Sequence, residues 1–110
     1  MRSRSRSGIV ELWIMSTLEP FKFRLFVAGD AANSVQAIAN LTALCEEHLP
    51  SRHHIEIVDV LREPKRALAD GILLTPTLVK LSPGPVRRIV GSLSQLRPVL
   101  IALGLVTPSP

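Results

Sequence analysis

The stretch Thr75–Gly91, TPTLVKLSPGPVRRIVG, decides the fold. Two runs rich in β-branched residues, 77–81 and 86–90, flank the four residues 82–85. A connection that short cannot cross over the sheet, so the two runs form an antiparallel hairpin. The sequence therefore predicts that this hairpin joins the sheet formed by the preceding residues.

The residues before this stretch have the pattern of a β-α-β unit. The run at 21–27, FKFRLFV, alternates at its start and is apolar at its end, as in a strand that becomes buried. We expect Asn33 or Ser34 to cap the helix that follows and Pro50 to end it. A second β-rich run then finishes at Asp59-Val60. The predicted buried face of the helix comprises Val35, Ile38, Leu41, Thr42, Cys45 and Leu49.

Two shorter helices complete the order. Pro64 suits the first turn of a helix over about 65–70. A last helix is predicted over about 94–103, with Pro98 in its first turn. Val99, Leu100 and Leu103 of this helix face inward. The order β-α-β-α-β-β-α, with a right-handed crossover, predicts an α/β fold of thioredoxin-like type. Its four-stranded mixed sheet is covered by helices on both faces.

Composition and charge limit the function classes. The chain is 46% hydrophobic and 20% charged, as in a globular domain. We place that domain at 21–106, with 1–20 as a disordered or non-native extension and 107–110 as a frayed tail. The net charge of +4 makes the chain only mildly basic, whereas a nucleic-acid-binding domain typically carries a dense stripe of basic residues. No apolar run approaches the roughly 20 residues that cross a bilayer, so we expect a cytoplasmic location.

Residues that carry chemistry in other proteins are missing or isolated. Cys45 is the only cysteine, so the loop 29–34, where a redox-active thioredoxin fold holds its dithiol, has no sulfur. His53 and His54 would point apart in a strand, and no nearby Cys or suitably spaced carboxylate completes a metal site with them. We expect no thiol redox catalysis, no cofactor and no bound metal.

Four segments in this order resemble the KaiB family. They are LFVAGDAANS at 25–34, IVDVL at 57–61 followed by Pro64, ILLTPTLVK at 72–80, and PGPVRRIVG at 83–91 with Leu93-Ser94. Together they cover essentially the whole predicted domain. The resemblance implies a non-enzymatic adaptor that docks onto a KaiC-type ATPase and changes its state or its other contacts. It also implies contacts with a KaiA-like protein or a histidine kinase, and self-association.

Two other functions stay open. Within the family, the chain can serve as a clock-independent stress-response or signalling module. Outside it, the chain can bind nucleic acid through RSRSRS at 2–7 and the hairpin arginines, a function that steep salt dependence would reveal. The absence of Tyr and the 4% aromatic content count against base stacking.

Basic residues near the hairpin are the candidate partner contacts. Lys80, Arg87 and Arg88 lie on or beside the hairpin at positions that match the family, and Arg62 flanks the second helix. On an exposed hairpin alternate side chains share a face, so Lys80 and one arginine can meet an acidic partner together. An ordinary solvated surface is the alternative interpretation.

Three positions have expected structural roles. Gly29 closes the first strand, and Pro76 stands where thioredoxin-like proteins place a cis-proline before the third strand. Some KaiB-like proteins are metamorphic and refold their C-terminal half; typical clock members carry Gly where Ala102 stands. Ala is more favourable than Gly inside a helix by roughly 1 kcal/mol. We therefore expect this protein to stay mainly in the thioredoxin-like state.

Overall fold

The computed structural model of this chain describes residues 19–107. Apart from residues 19, 20 and 107, the predicted extension and tail lie outside the described residues. The described part has the predicted order β-α-β-α-β-β-α, with element bounds close to the predicted ones. The strands are β1 (Phe21–Val27), β2 (His53–Asp59), β3 (Thr77–Ser82) and β4 (Arg87–Val90), and the helices are α1 (Ala32–His48), α2 (Pro64–Ala69) and α3 (Leu96–Ala102).

The strands form one mixed sheet in the order β2-β1-β3-β4. β1 and β2 run parallel, and α1 supplies the crossover that a parallel pair requires. β3 lies antiparallel to both β1 and β4, so the hairpin joins the sheet through β3. The prediction of a four-stranded mixed sheet of thioredoxin-like order is confirmed.

The two faces of the sheet are covered very unequally. On the face under α1 and α3 a large buried cluster forms, because alternate residues of β1 point there. On the face under α2 the buried cluster comprises Phe26, Val58 and Val79, and α2 itself buries Ala67. The large cluster contains Phe21, Phe23, Leu25, Val27, Ala37, Leu41, Leu44, Cys45, Leu49, Leu78, Leu93, Val99, Leu100 and Leu103.

The first turn of α1 differs from the prediction. Ala31 is the N-cap and makes no side-chain capping bond. Ser34 lies inside the helix, where it is buried, and its Oγ accepts a hydrogen bond of 3.0 Å from the Ala28 N–H. The capping prediction is wrong because this hydroxyl ties the helix to the end of β1 instead. Val35 and Thr42, both predicted to lie on the buried face of the helix, are exposed, Val35 by 51%.

The C-terminal helix buries its predicted residues, but Ala102 is not in its interior. Val99, Leu100 and Leu103 are buried. Ala102 is the last residue of α3, where helix propensity has less influence than in the interior, so the argument from Ala over Gly loses force. In the described part of the chain, none of the helices is both long and apolar enough to span a membrane.

Candidate functional site

The loop between β1 and α1 contains no cysteine and is linked by a backbone hydrogen bond to the end of β2. Gly29 has φ +57°, and its N–H donates 3.0 Å to Oδ1 of Asp59, which links this loop to the end of β2. A Cβ at Gly29 would lie 3.3 Å from Cδ1 of Leu61. Cys45 is fully buried in α1, and burial raises the pKa of its thiol to about 12. This thiol is therefore not an activated nucleophile.

Metal-ligating side chains do not cluster within residues 19–107. No group of three His, Cys, Asp or Glu side chains with metal-site geometry occurs there. Nδ1 of His53 lies 2.8 Å from the carbonyl oxygen of Leu49 and so holds the turn before β2. His53 therefore has a structural role in this turn.

The hairpin separates its cations onto the two faces of the sheet. Lys80 is the cross-strand partner of Arg87, and Val79 is the partner of Arg88. Cross-strand partners share a face. Lys80 and Arg87 therefore lie on the α1–α3 face and Arg88 lies on the α2 face. The structure does not bring the three cations together.

Lys80 is not on an exposed surface. It is 5% exposed, and its Nζ lies 5.7 Å from the centroid of the Phe21 ring. Burial lowers the pKa of its ammonium group, and the charge of Arg87 lowers it further. The prediction of an exposed Lys80 is wrong because β3 is an inner strand that is covered on this face.

Arg88 is tied to the end of α2. Its Nη1 donates 3.3 Å to the carbonyl oxygen of Gly71, and its Nη2 donates to the carbonyl oxygen of Asp70. Carbonyls at a helix C-terminus lack partners within the helix, and an arginine suits them by hydrogen bonding and charge. The guanidinium is thereby fixed at the surface, although the side chain stays exposed.

Large apolar side chains surround Arg88. Leu73 is 94% exposed, Leu74 62% and Val90 57%. With residues 71, 72, 77 and 88, these three line an open groove of about 210 Å³. We call Leu73, Leu74, Arg88 and Val90 the α2–β4 surface.

The leucines of this surface were missed at the sequence level. The run Ile72-Leu73-Leu74 precedes Thr75-Pro76 and has no helical or strand period, a signal that could have marked an exposed apolar loop. The Thr75–Pro76 peptide bond is cis, and the Pro76 carbonyl accepts 2.9 Å from the Gly91 N–H, which joins this loop to the end of β4. Arg62 follows β2 at the opposite sheet edge, with Nε 3.9 Å from Oδ2 of Asp59.

The fold and this surface define the class of protein. It is a thioredoxin-like α/β protein without a dithiol, and its α2–β4 surface combines exposed apolar side chains with an arginine. Solved structures agree on the fold. Chloroplastic thioredoxin z aligns with a TM-score of 0.66 and 19% identity over 87% of this chain and 88% of its own. The N-terminal domain of Synechococcus elongatus SasA aligns with a TM-score of 0.58 and 23% identity over 84% and 90%.

Residues 24–105 match the KaiB domain model. The chain is 43% identical over 83 residues to "Circadian clock protein KaiB3" of Synechocystis sp., covering 76% of this chain and 81% of that protein. It is 44% identical over 85 residues to "Circadian clock oscillator protein KaiB" of Microcystis aeruginosa, covering 77% and 82%. This chain belongs to the KaiB family, and the predicted resemblance is confirmed.

Proposed function

We propose that this protein is a non-enzymatic adaptor that binds a KaiC-type ATPase through the α2–β4 surface and modulates the ATPase's state or its other contacts. The observation that carries the proposal is the group of exposed leucines around a fixed arginine. The class of partner comes from the family, whose curated members carry the names of circadian clock proteins.

The leucines supply the main driving force for binding. Contiguous apolar surface on a small domain is typical of an interaction site, because leaving it in water is unfavourable. Leu73 is almost fully solvated here, so its burial in a complex removes most of its side chain from water. Full burial of such a side chain contributes about 1.5–3 kcal/mol.

Arg88 contributes specificity to the proposed interface. Two of its donors are held by the carbonyls of Asp70 and Gly71, so little side-chain entropy is left to lose on binding. Its remaining donors can meet a carboxylate of the partner, which gives specificity and a faster association rate. Arg87 projects from the other face of the same strand and Arg62 from the far edge, and both add longer-range attraction for an acidic partner.

The rest of the proposal follows the family. A KaiA-like protein, a histidine kinase and a second copy of the chain are further partners, and the location is cytoplasmic. No cofactor takes part. The alternative within the family is a clock-independent stress-response or signalling module, in which a KaiC homologue or a kinase binds the same surface.

Binding to the KaiC-type ATPase of the same organism tests the proposal. Leu73→Glu is compared with Val35→Glu, which places the same charge on an exposed apolar residue of α1. Leu73→Glu should weaken the Kd at least tenfold, whereas Val35→Glu should leave it within about twofold of wild type. Arg88→Glu should weaken binding more than Arg62→Glu, and the difference should shrink at high salt.

Two results would contradict the proposal. If Leu73→Glu binds like the wild type, the interface lies elsewhere on the domain. If the wild-type protein does not bind the ATPase at all, the partner class is wrong.

A further inference from the structure

A network of ion pairs lies between α2 and the sheet. Oε1 of Glu56 on β2 lies 2.9 Å from Nε of Arg24 on β1, and its Oε2 lies 2.8 Å from Nη1 of Arg66 on α2. Nη1 of Arg24 also lies 3.0 Å from Oδ2 of Asp70, directly after α2. Glu56 therefore uses both carboxylate oxygens, one within the sheet and one to the helix.

These charges lie where a strand would normally place apolar residues against a helix. Arg24 and Glu56 are register partners on neighbouring strands, so they share a face. Arg24 also alternates with Phe26, which places this pair on the α2 face beside the small buried cluster. Because α2 buries Ala67 and little else, apolar burial contributes little to its attachment.

The attachment of α2 to the sheet therefore depends largely on ion pairs. The pairing lowers the pKa of the Glu56 carboxyl to about 2, chiefly through its hydrogen bonds with Arg66 and Arg24. The side chains of Glu56, Arg24 and Arg66 remain 25–38% exposed, so dissolved salt reaches and screens them. On the other face, by contrast, α1 is held by a large apolar cluster that salt does not weaken.

We propose that Glu56 is a positioning residue: through Arg66 and Arg24 it holds α2 on the sheet and so keeps the α2–β4 surface in its binding shape. The inference rests on the proposed function of that surface. Leu73 and Leu74 follow α2 within a few residues, and Arg88 is bonded to the carbonyls of Asp70 and Gly71, so movement of α2 would displace three of the four residues of the surface. Asp70 belongs to the network and also supplies a carbonyl to Arg88.

Amide hydrogen exchange of the free protein measures the attachment itself. In Glu56→Gln, exchange across 64–74 should become about two- to fivefold faster than in wild type, since the one partly exposed ion pair between Glu56 and α2 is lost. Amides of β1 and β3 should be unaffected. Glu47→Gln is the matched control, since Glu47 is exposed at the end of α1.

The salt dependence of exchange and two variants of Arg66 distinguish an ionic attachment of α2 from a general structural role of Glu56. Raising NaCl from 0.05 to 1 M should speed exchange at 64–74 in the wild type and much less in Glu56→Gln. Arg66→Lys keeps a donor cation for Glu56 and should retain most of the protection, whereas Arg66→Gln should lose it.

Binding to the ATPase completes the test. Glu56→Gln should weaken the Kd several-fold at 0.05 M NaCl, although Glu56 is outside the α2–β4 surface. Unchanged exchange at 64–74 in Glu56→Gln would overturn the inference, and so would faster exchange with unchanged binding. A wild-type protein that does not bind at all would refute the proposed function, while the exchange data would still decide whether α2 is held ionically.

Discussion

Replacing Lys80 with Met should stabilise the protein at neutral pH. Lys80 is 5% exposed, and within residues 19–107 no carboxylate forms an ion pair with its ammonium group. Its contact with Phe21, 5.7 Å from the ring centroid, recovers about 0.5–2 kcal/mol. Burial of the side chain removes part of the hydration of this ammonium group, a cost that exceeds the gain from the ring contact. Met keeps an unbranched apolar chain and removes the charge.

The expected gain is about 1 kcal/mol in the free energy of unfolding at pH 7, which corresponds to a rise of roughly 4–8 °C in Tm for a domain of this size. Urea unfolding followed by circular dichroism measures it. The control is Lys22→Met, because Lys22 is an exposed lysine on β1. That substitution should change stability by less than about 0.5 kcal/mol.

The pH dependence gives a second, independent readout. Because the pKa of Lys80 is lowered in the folded protein, unfolding takes up a proton in the range between that pKa and the unfolded value of about 10.4. The contribution of Lys80 to wild-type stability therefore rises with pH through this range. Lys80→Met lacks that rise, so its advantage over wild type should shrink as the pH approaches 10.4. A destabilised Lys80→Met variant, or an advantage that does not depend on pH, would refute the reasoning.

Three further predictions concern the core, the thiol and the first loop. Leu41→Ala should lower the free energy of unfolding by about 2–5 kcal/mol in urea titrations, since Leu41 is fully buried in the large cluster; a loss below 1 kcal/mol would contradict the assigned core. Cys45 should not react with iodoacetamide at pH 8 unless the protein unfolds, because a thiol with a pKa of about 12 has almost no thiolate there; rapid labelling of the native protein would contradict this. Gly29→Val should cost about 1–2 kcal/mol through its positive φ and the approach to Leu61, whereas Gly84→Ala, with open space around it, should cost little; equal costs would contradict the strain argument.

The fold could be predicted from the sequence because its local patterns agree with one another. The alternation in FKFRLFV, the apolar period before Pro50 and the short connection at 82–85 each allow one type of element. The first turn of α1 could not be predicted. Ser34 has the residue type of a cap, but its hydroxyl bonds to Ala28, and only the packed structure shows that contact.

The candidate site was harder to predict because exposure is a tertiary property. A lysine in a hairpin suggests a solvated charge, yet Lys80 lies on an inner strand whose face is covered by helices. Conversely, Leu73 is apolar and would be assigned to a core, but it lies in a loop between α2 and β3 and is 94% exposed. Arg88 was predicted as a contact residue; its bonds to the carbonyls that follow α2 became visible only in three dimensions.

The most direct test of the account is an amide-exchange footprint of this protein with and without the KaiC-type ATPase of the same organism. Binding through the α2–β4 surface predicts slower exchange at 68–74 and 86–91 when the ATPase is present, with little change along α1. Protection confined to β2 (His53–Asp59), or no protection anywhere at saturating ATPase, would contradict the account.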